Sequence, residues 1–156
     1  MRCRLIAAGT RLPEWVGAGF HDYQRRLRRP LTLELVEIPV APRRDGEPAH
    51  SAVAREGAAM LAALRADDHV VALDVAGTAL GTAQLAEWLA RRLQAGRSLA
   101  LLIGGPDGLA PACLGRAEFR WSLSPLTFPH GLVRVLVAEQ LYRAASILAG
   151  HPYHRA

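Results

Sequence analysis

The residues of this chain whose types and spacing could do chemistry lie in three loops, and they offer backbone more than side chains. Gly104-Gly-Pro-Asp-Gly108 is entered directly from the apolar run Leu99–Ile103. Glycine carries no Cβ, so a ligand can approach its main chain closely. Ser122-Leu-Ser-Pro-Leu-Thr-Phe-Pro-His130 leads into a long apolar segment that begins near Gly131. Asp74-Val-Ala-Gly77 follows the apolar run Val70-Val-Ala-Leu73. Open α/β sheets bind ligands outside the carboxyl ends of their strands, so the three loops define one ligand-binding edge. The spacing excludes several better-known chemistries. A dinucleotide fingerprint belongs in the first strand–helix turn, and here the glycines follow the fourth strand with Pro106 in their midst. A phosphate loop needs a Lys-Ser/Thr ending that is absent. No His, Cys or carboxylate cluster has metal-ligand spacing. Ser122 and Ser124 lack a base and an orienting partner at triad-like positions. What remains is a nucleotide-like ligand read by main-chain groups.

The elements that must hold these loops alternate. Strands are expected over 3–8, 31–38, 68–75, 99–103 and 119–123. Helices are expected over 13–29, 51–65, 82–95, 110–117 and about 131–149. Val16, Phe20, Tyr23 and Leu27 recur at helical spacing and give the first helix one apolar face. Thr82 is the expected N-cap of the third helix and Gly96 its stop. Residues 39–50 read as a basic, mobile loop, and residues 150–156 as a polar tail without helical pattern. Five strand–helix alternations predict a mainly parallel α/β sheet. The last helix carries apolar residues nearly all round, which predicts burial; one face can meet the sheet and the other a twin helix, the alternative being the central helix of a monomer.

Length and charge set the remaining bounds. A chain of 156 residues, 51% hydrophobic and 21% charged, is expected to form one globular domain, 1–156. All nineteen basic residues are Arg and the net charge is +5. That excess suits either a solvated surface or a polyanionic partner, nucleic acid being the commonest. The cluster Arg25, Arg26, Arg28 and Arg29 allows the same two readings, helix C-terminal charge or phosphate contact. Two cysteines, Cys3 and Cys113, are too few for a disulfide framework and read as small core residues. No apolar run has the length of a signal peptide or a membrane span, so the expected place is the cytoplasm.

Four stretches then follow one another in register: Leu102-Ile-Gly-Gly-Pro-Asp-Gly-Leu109, Ser122 to His130, Arg134-Val-Leu-Val-Ala-Glu-Gln-Leu-Tyr-Arg143, and His151-Pro-Tyr-His-Arg155. Ala7-Ala-Gly-Thr10, Trp15, Tyr23 and Arg26 extend the pattern to the start. Together they closely resemble the bacterial ribosomal large-subunit RNA pseudouridine N3-methyltransferases of the SPOUT superfamily, over essentially the whole chain. The resemblance implies a SPOUT-type α/β fold whose C-terminal segment threads a loop into a deep trefoil knot, a topology no periodicity argument would yield. It implies a homodimer, S-adenosylmethionine as cofactor, and 23S rRNA on the assembled ribosome as substrate. By position, the family's cofactor contacts fall on Leu73, Gly105, Ser124, Pro125, Leu126, Thr127, Phe128 and Pro129.

The imide nitrogen N3 of pseudouridine is a poor nucleophile until its proton leaves, so a base or a polarising donor is expected. Alignment of nucleophile, methyl and sulfur supplies much of the remaining rate. The candidate catalytic residues are His130, Glu139, Arg143, Tyr153, His154 and Arg155. His154 or Glu139 is expected to help remove the proton, Arg143 and Arg155 to hold phosphate or a uracil carbonyl, and Tyr153 to position the base. Glu139 and Arg143 also stand in the order that favours a helix ion pair. Two other readings keep the fold: a non-catalytic ribosome-binding protein, and a methyltransferase acting on transfer RNA. No extra RNA-reading module supports the latter.

Overall fold

The computed structural model describes residues 1–43 and 45–154. Five strands, β1 (Arg2–Ala8), β2 (Thr32–Ile38), β3 (His69–Ala79), β4 (Leu99–Ile103) and β5 (Phe119–Ser122), form one sheet in the order β2-β1-β4-β3-β5. Every pairing is parallel, as the alternation with helices predicts. The connecting helices are α1 (Glu14–Arg26), α2 (Ala49–Ala62), α3 (Thr82–Ala95), α4 (Pro111–Arg116) and α5 (His130–Leu148).

Adjacent side chains of a strand point to opposite faces of a sheet, and this chain fills both. Leu5, Val71, Leu101 and Ile103 pack with Phe20 of α1, Leu85 and Leu89 of α3, and Val137 and Leu141 of α5. Their neighbours Ile6, Val70, Ala100 and Leu102 pack with Val53 and Met60 of α2 and with Ala110 and Cys113 near α4. Strands covered on both sides read as unbroken apolar runs, which is why β4 has no polar residue. Cys3 and Cys113 are both buried, and burial pushes both thiols up from their ordinary range.

Four expectations need correction. Helix α1 stops at Arg26 and not at Arg29; Arg29 precedes Pro30, whose ring disfavours the helical region for the residue before it. Gly81, not Thr82, is the N-cap of α3, and its N–H donates to Gln84 Oε1 at 2.8 Å. Gly96 does stop that helix, at φ +72. The stretch 74–77 is not a loop after β3 but an outward bulge within it. Leu73 and Thr78 both pair with Trp121, leaving the four residues between them without partners in β5. Gly77 is required there, since a Cβ would come within 2.7 Å of the Arg120 carbonyl carbon. The tail, expected to be irregular, forms a 3-10 turn at Pro152–His154.

The basic linker is also held at several points. Ala41 N–H donates to Glu56 Oε1 at 3.0 Å, Arg55 bonds the Pro42 carbonyl at 2.9 Å, and Arg43 is ion-paired with Asp107.

Candidate functional site

β3 feeds α3 on one face of the sheet and β4 feeds α4 on the other. Chains leaving adjacent strands toward opposite faces open a crevice between them, the usual ligand position in such sheets. A cavity of about 690 Å³ lies there, within the range of small-molecule sites. Leu73, Gly105, Ser124, Leu126, Thr127, Phe128 and Pro129 all line it, together with His130. Pro125 is exposed and is not among the lining residues. Three segments far apart in sequence therefore meet at the edge expected of them.

Backbone geometry keeps the cavity open. Gly105 C=O accepts the Gly108 N–H at 3.0 Å, closing a tight turn, and Gly108 has φ +83. A Cβ on Gly104 would lie 2.3 Å from the Gly108 carbonyl carbon, so only glycine permits this approach. In the second loop, Ser124 Oγ accepts the Leu126 N–H at 3.0 Å and Ser122 Oγ donates to the Ser124 carbonyl at 3.1 Å. The two serines build the loop, which explains why no base attends them. The walls are apolar at Ile103, Leu109, Trp121, Phe128 and Val133. Asp74 and Asp107 are the acidic residues on the lining, and Asp107 is occupied by Arg43.

His130 opens α5 at the cavity wall. It is the first helical residue, with Pro129 in the capping position. Burial and then the Arg134 guanidinium push its imidazole below the ordinary range, and Glu56 opposes them. The shift favours the neutral ring, which keeps a nitrogen lone pair free.

Glu139, Arg143 and Tyr153 assemble elsewhere. Glu139 stands nine residues along α5 from His130, roughly 13 Å at the helical rise. Its Oε1 accepts Arg143 Nε at 2.9 Å and the Tyr153 hydroxyl at 3.2 Å, while Oε2 accepts Gln140 Nε2 at 2.6 Å. The helix ion pair allowed by the spacing is thus present. Tyr153 also reaches the Tyr23 hydroxyl at 3.4 Å and stacks edge-on with Tyr142 at 4.7 Å. Burial, then the bond to Tyr23, pushes its phenol up. The Arg143 guanidinium lies 5.0 Å from the Tyr153 ring centre, and Arg26 stands over both Tyr23 and Tyr142. Arg26 also pairs with Asp22 at 2.7 Å. His154 ends the 3-10 turn, and Arg155 lies outside the described residues.

Sequence reasoning assigned no role to Arg134, Glu37 or Glu56. Arg134 is 1% exposed and donates to the Ala8 and Gly9 carbonyls at 2.8 and 2.6 Å and to Glu37 Oε1 at 2.7 Å. A lone charge within the apolar stretch 131–138 was the available signal. Glu56 is 7% exposed on α2 beneath the cavity loop. Among the described residues, no three His, Cys, Asp or Glu side chains are grouped as a metal site would need, and no helix is long and apolar enough to cross a membrane.

Comparison with known proteins bears on this arrangement. The model of a family described as predicted SPOUT methyltransferases matches residues 1–154. A protein of Alkalilimnicola ehrlichii named ribosomal RNA large subunit methyltransferase H is 60% identical over 156 residues, covering all of both chains. One of the same name from Hahella chejuensis is 51% identical over 155 residues, 99% of each. Among solved structures, a probable methyltransferase from Bordetella pertussis Tohama I superimposes with TM-score 0.56 at 18% identity, covering 91% of this chain and 95% of that one. That likeness concerns the fold.

Proposed function

The chain belongs to the SPOUT methyltransferase family, and from that premise we propose that it transfers a methyl group from S-adenosylmethionine to N3 of a pseudouridine in 23S rRNA of the assembled ribosome. The observation that carries this reading is the convergence of Leu73, Gly105 and the 124–129 loop on one cavity. Its size suits a nucleoside with a short side chain, and its glycines hold a tight turn that a Cβ on Gly104 would break. Apolar walls with main-chain polar groups suit an adenine ring, which needs edge hydrogen bonds and flat contact more than charge.

S-adenosylmethionine, when bound, supplies an electrophilic methyl group on a sulfonium sulfur. Leu73, Gly105, Ser124 and residues 126–129 would hold it and exclude water. His130, neutral and at the wall, would take the N3 proton as the nitrogen becomes nucleophilic. Glu139 differs, because both of its oxygens already accept hydrogen bonds. It would act as the anchor that presents Tyr153 and Arg143 to the substrate base and its phosphates.

That anchor stands well along α5 from the cavity of its own chain, which supports a homodimer in which one protomer's tail serves the other's cavity. Leu132, Val135 and Leu136 remain half-buried on α5 and offer the contact. The same reading includes a single domain over 1–156, the knotted path of the C-terminal segment around the cavity, and a cytoplasmic place of action. A positive surface made wholly of arginine suits phosphate contacts and recognition of RNA shape.

The test is methyl transfer from labelled S-adenosylmethionine to ribosomes that lack the modification, to naked rRNA and to transfer RNA, with the product mapped by mass spectrometry. Label on pseudouridine N3 in ribosomes alone is expected. Label in transfer RNA, or none despite bound cofactor, overturns the assignment.

A further inference from the structure

Three ionisable side chains, His130 and Arg134 of α5 and Glu56 of α2, converge on the end of β1 behind the cavity. A Cβ placed on Gly9 would lie 3.3 Å from Arg134 Nη2 and 3.3 Å from His130 Nε2, so the guanidinium and the imidazole both lie against the same side of Gly9, just past β1. A Cβ placed on Gly105 would lie 3.2 Å from Glu56 Oε2 and 3.5 Å from the Ala8 Cβ. Glu56 thus approaches the same strand end from α2, directly under a cavity-lining glycine. Glu56 Oε1 is fixed by the Ala41 N–H, and Arg134 is fixed by two carbonyls and Glu37. Neither charge can turn away.

We propose that Arg134 and Glu56 are positioning residues of opposite sign that flank His130 and together set the protonation state it presents to the cavity. Their direct contacts are with the ends of β1 and β2 and with the linker, so they act through His130 and not on a ligand. Arg134 disfavours a second positive charge on the imidazole, Glu56 favours it, and burial adds to the first. Other titratable groups stand nearby: Glu37 of β2, committed to Arg134; Asp74 of β3 and Asp107 of the glycine loop, both on the cavity wall; and Glu14 and His21 of α1 and Glu34 of β2, which line a groove with Arg134 on its far side. Asp107 is neutralised by Arg43, and Asp74 lies 4.0 Å from Arg120. Arg134 beside Gly9 and Glu56 beneath Gly105 are the charges fixed at the end of β1, on which His130 also abuts.

The pair makes a prediction of opposite signs that general damage to the fold does not imitate. The His130 imidazole is followed by NMR titration of histidine-labelled protein, its resonance assigned by its loss in His130→Asn. Glu56→Gln keeps an acceptor for Ala41 and removes the charge; the His130 midpoint falls, by about one pH unit. Arg134→Gln keeps a donor and removes the charge; the midpoint rises by a similar amount. Arg134→Lys keeps the charge and leaves it near the wild-type value. Should Arg134→Gln not fold, the fall in Glu56→Gln decides alone. Midpoints that stay put, or that move the same way in both neutral variants, overturn the proposal. This inference rests on the methyl-transfer reading only in its consequence for rate, where the acid limb of the pH profile should follow the NMR midpoints. Titration in opposite directions without methyl transfer keeps the charge pair and removes that reading; methyl transfer with unmoved midpoints does the reverse.

Discussion

At the amino-terminal ends of β1 and β3, charge does the holding. Arg4 is ion-paired with Asp68, which is fully buried and also accepts the Arg65 N–H at 2.7 Å. Beside it, Glu118 accepts Arg97 at 2.8 and 2.9 Å and His69 Nδ1 at 2.9 Å. At the carboxyl ends of β3, β4 and β5 the holding is done mostly by main chain, beside the exposed pairs Arg43–Asp107 and Arg120–Asp74: the Gly105–Gly108 turn, the Ser124 turn and the bulge at 74–77. Side-chain ion pairs fill the space they secure. Backbone turns secure a loop and leave the space beside it free. One sheet therefore has a closed end that contributes stability and an open end that can contribute binding.

Asp68→Ala tests the closed end with the largest effect. It strands a buried guanidinium, so urea unfolding should show a loss of about 3–5 kcal/mol. S-adenosylmethionine affinity, measured by calorimetry on the folded protein, should be unchanged. Loss of affinity in step with stability would break the contrast between the two ends.

Gly104→Ala tests the open end. The new methyl group meets Gly108 backbone, so the turn must shift. The dissociation constant for S-adenosylmethionine should rise at least tenfold, about 1.4 kcal/mol, with a smaller effect on the unfolding midpoint than that of Asp68→Ala.

The smallest effect belongs to Glu118. Hydrogen bonding from Arg97, then from His69, holds its carboxyl at about 2, against an ordinary 4.5. A depressed carboxyl contributes stability that is fully present above 4.5 and is lost as pH falls through about 2. Glu118→Gln should flatten the acid limb of stability in that window. The Arg97–Glu118 pair is solvent-facing, so the change at neutral pH should be about 0.5 kcal/mol. A shift in cofactor affinity would show instead that the two ends communicate.

The open end was legible because its chemistry is written in residue type. Glycines after an apolar run, and serine and proline before a long helix, announce main-chain geometry directly. The parallel sheet was legible for a related reason: strands buried on both faces leave unbroken apolar runs. The contacts of the linker between β2 and α2 were not legible, because their partners Asp107 and Glu56 lie outside it in sequence. The bulge in β3 needed knowledge of which strand lies alongside, and Trp121 comes forty-eight positions after Leu73. Arg134 shows the limit most clearly. It reads as one more basic residue until the carbonyls of Ala8 and Gly9 close around it.

The two inward-facing thiols make the molecule convenient for fluorescence. Cys3 and Cys113 are shielded and hold their protons, so neither offers a thiolate to a maleimide dye at neutral pH. A cysteine introduced at Leu126, 68% exposed at the cavity mouth, would be the single labelling position on the folded chain. A dye there would report ligand entry and exit in real time, with the native sequence otherwise intact.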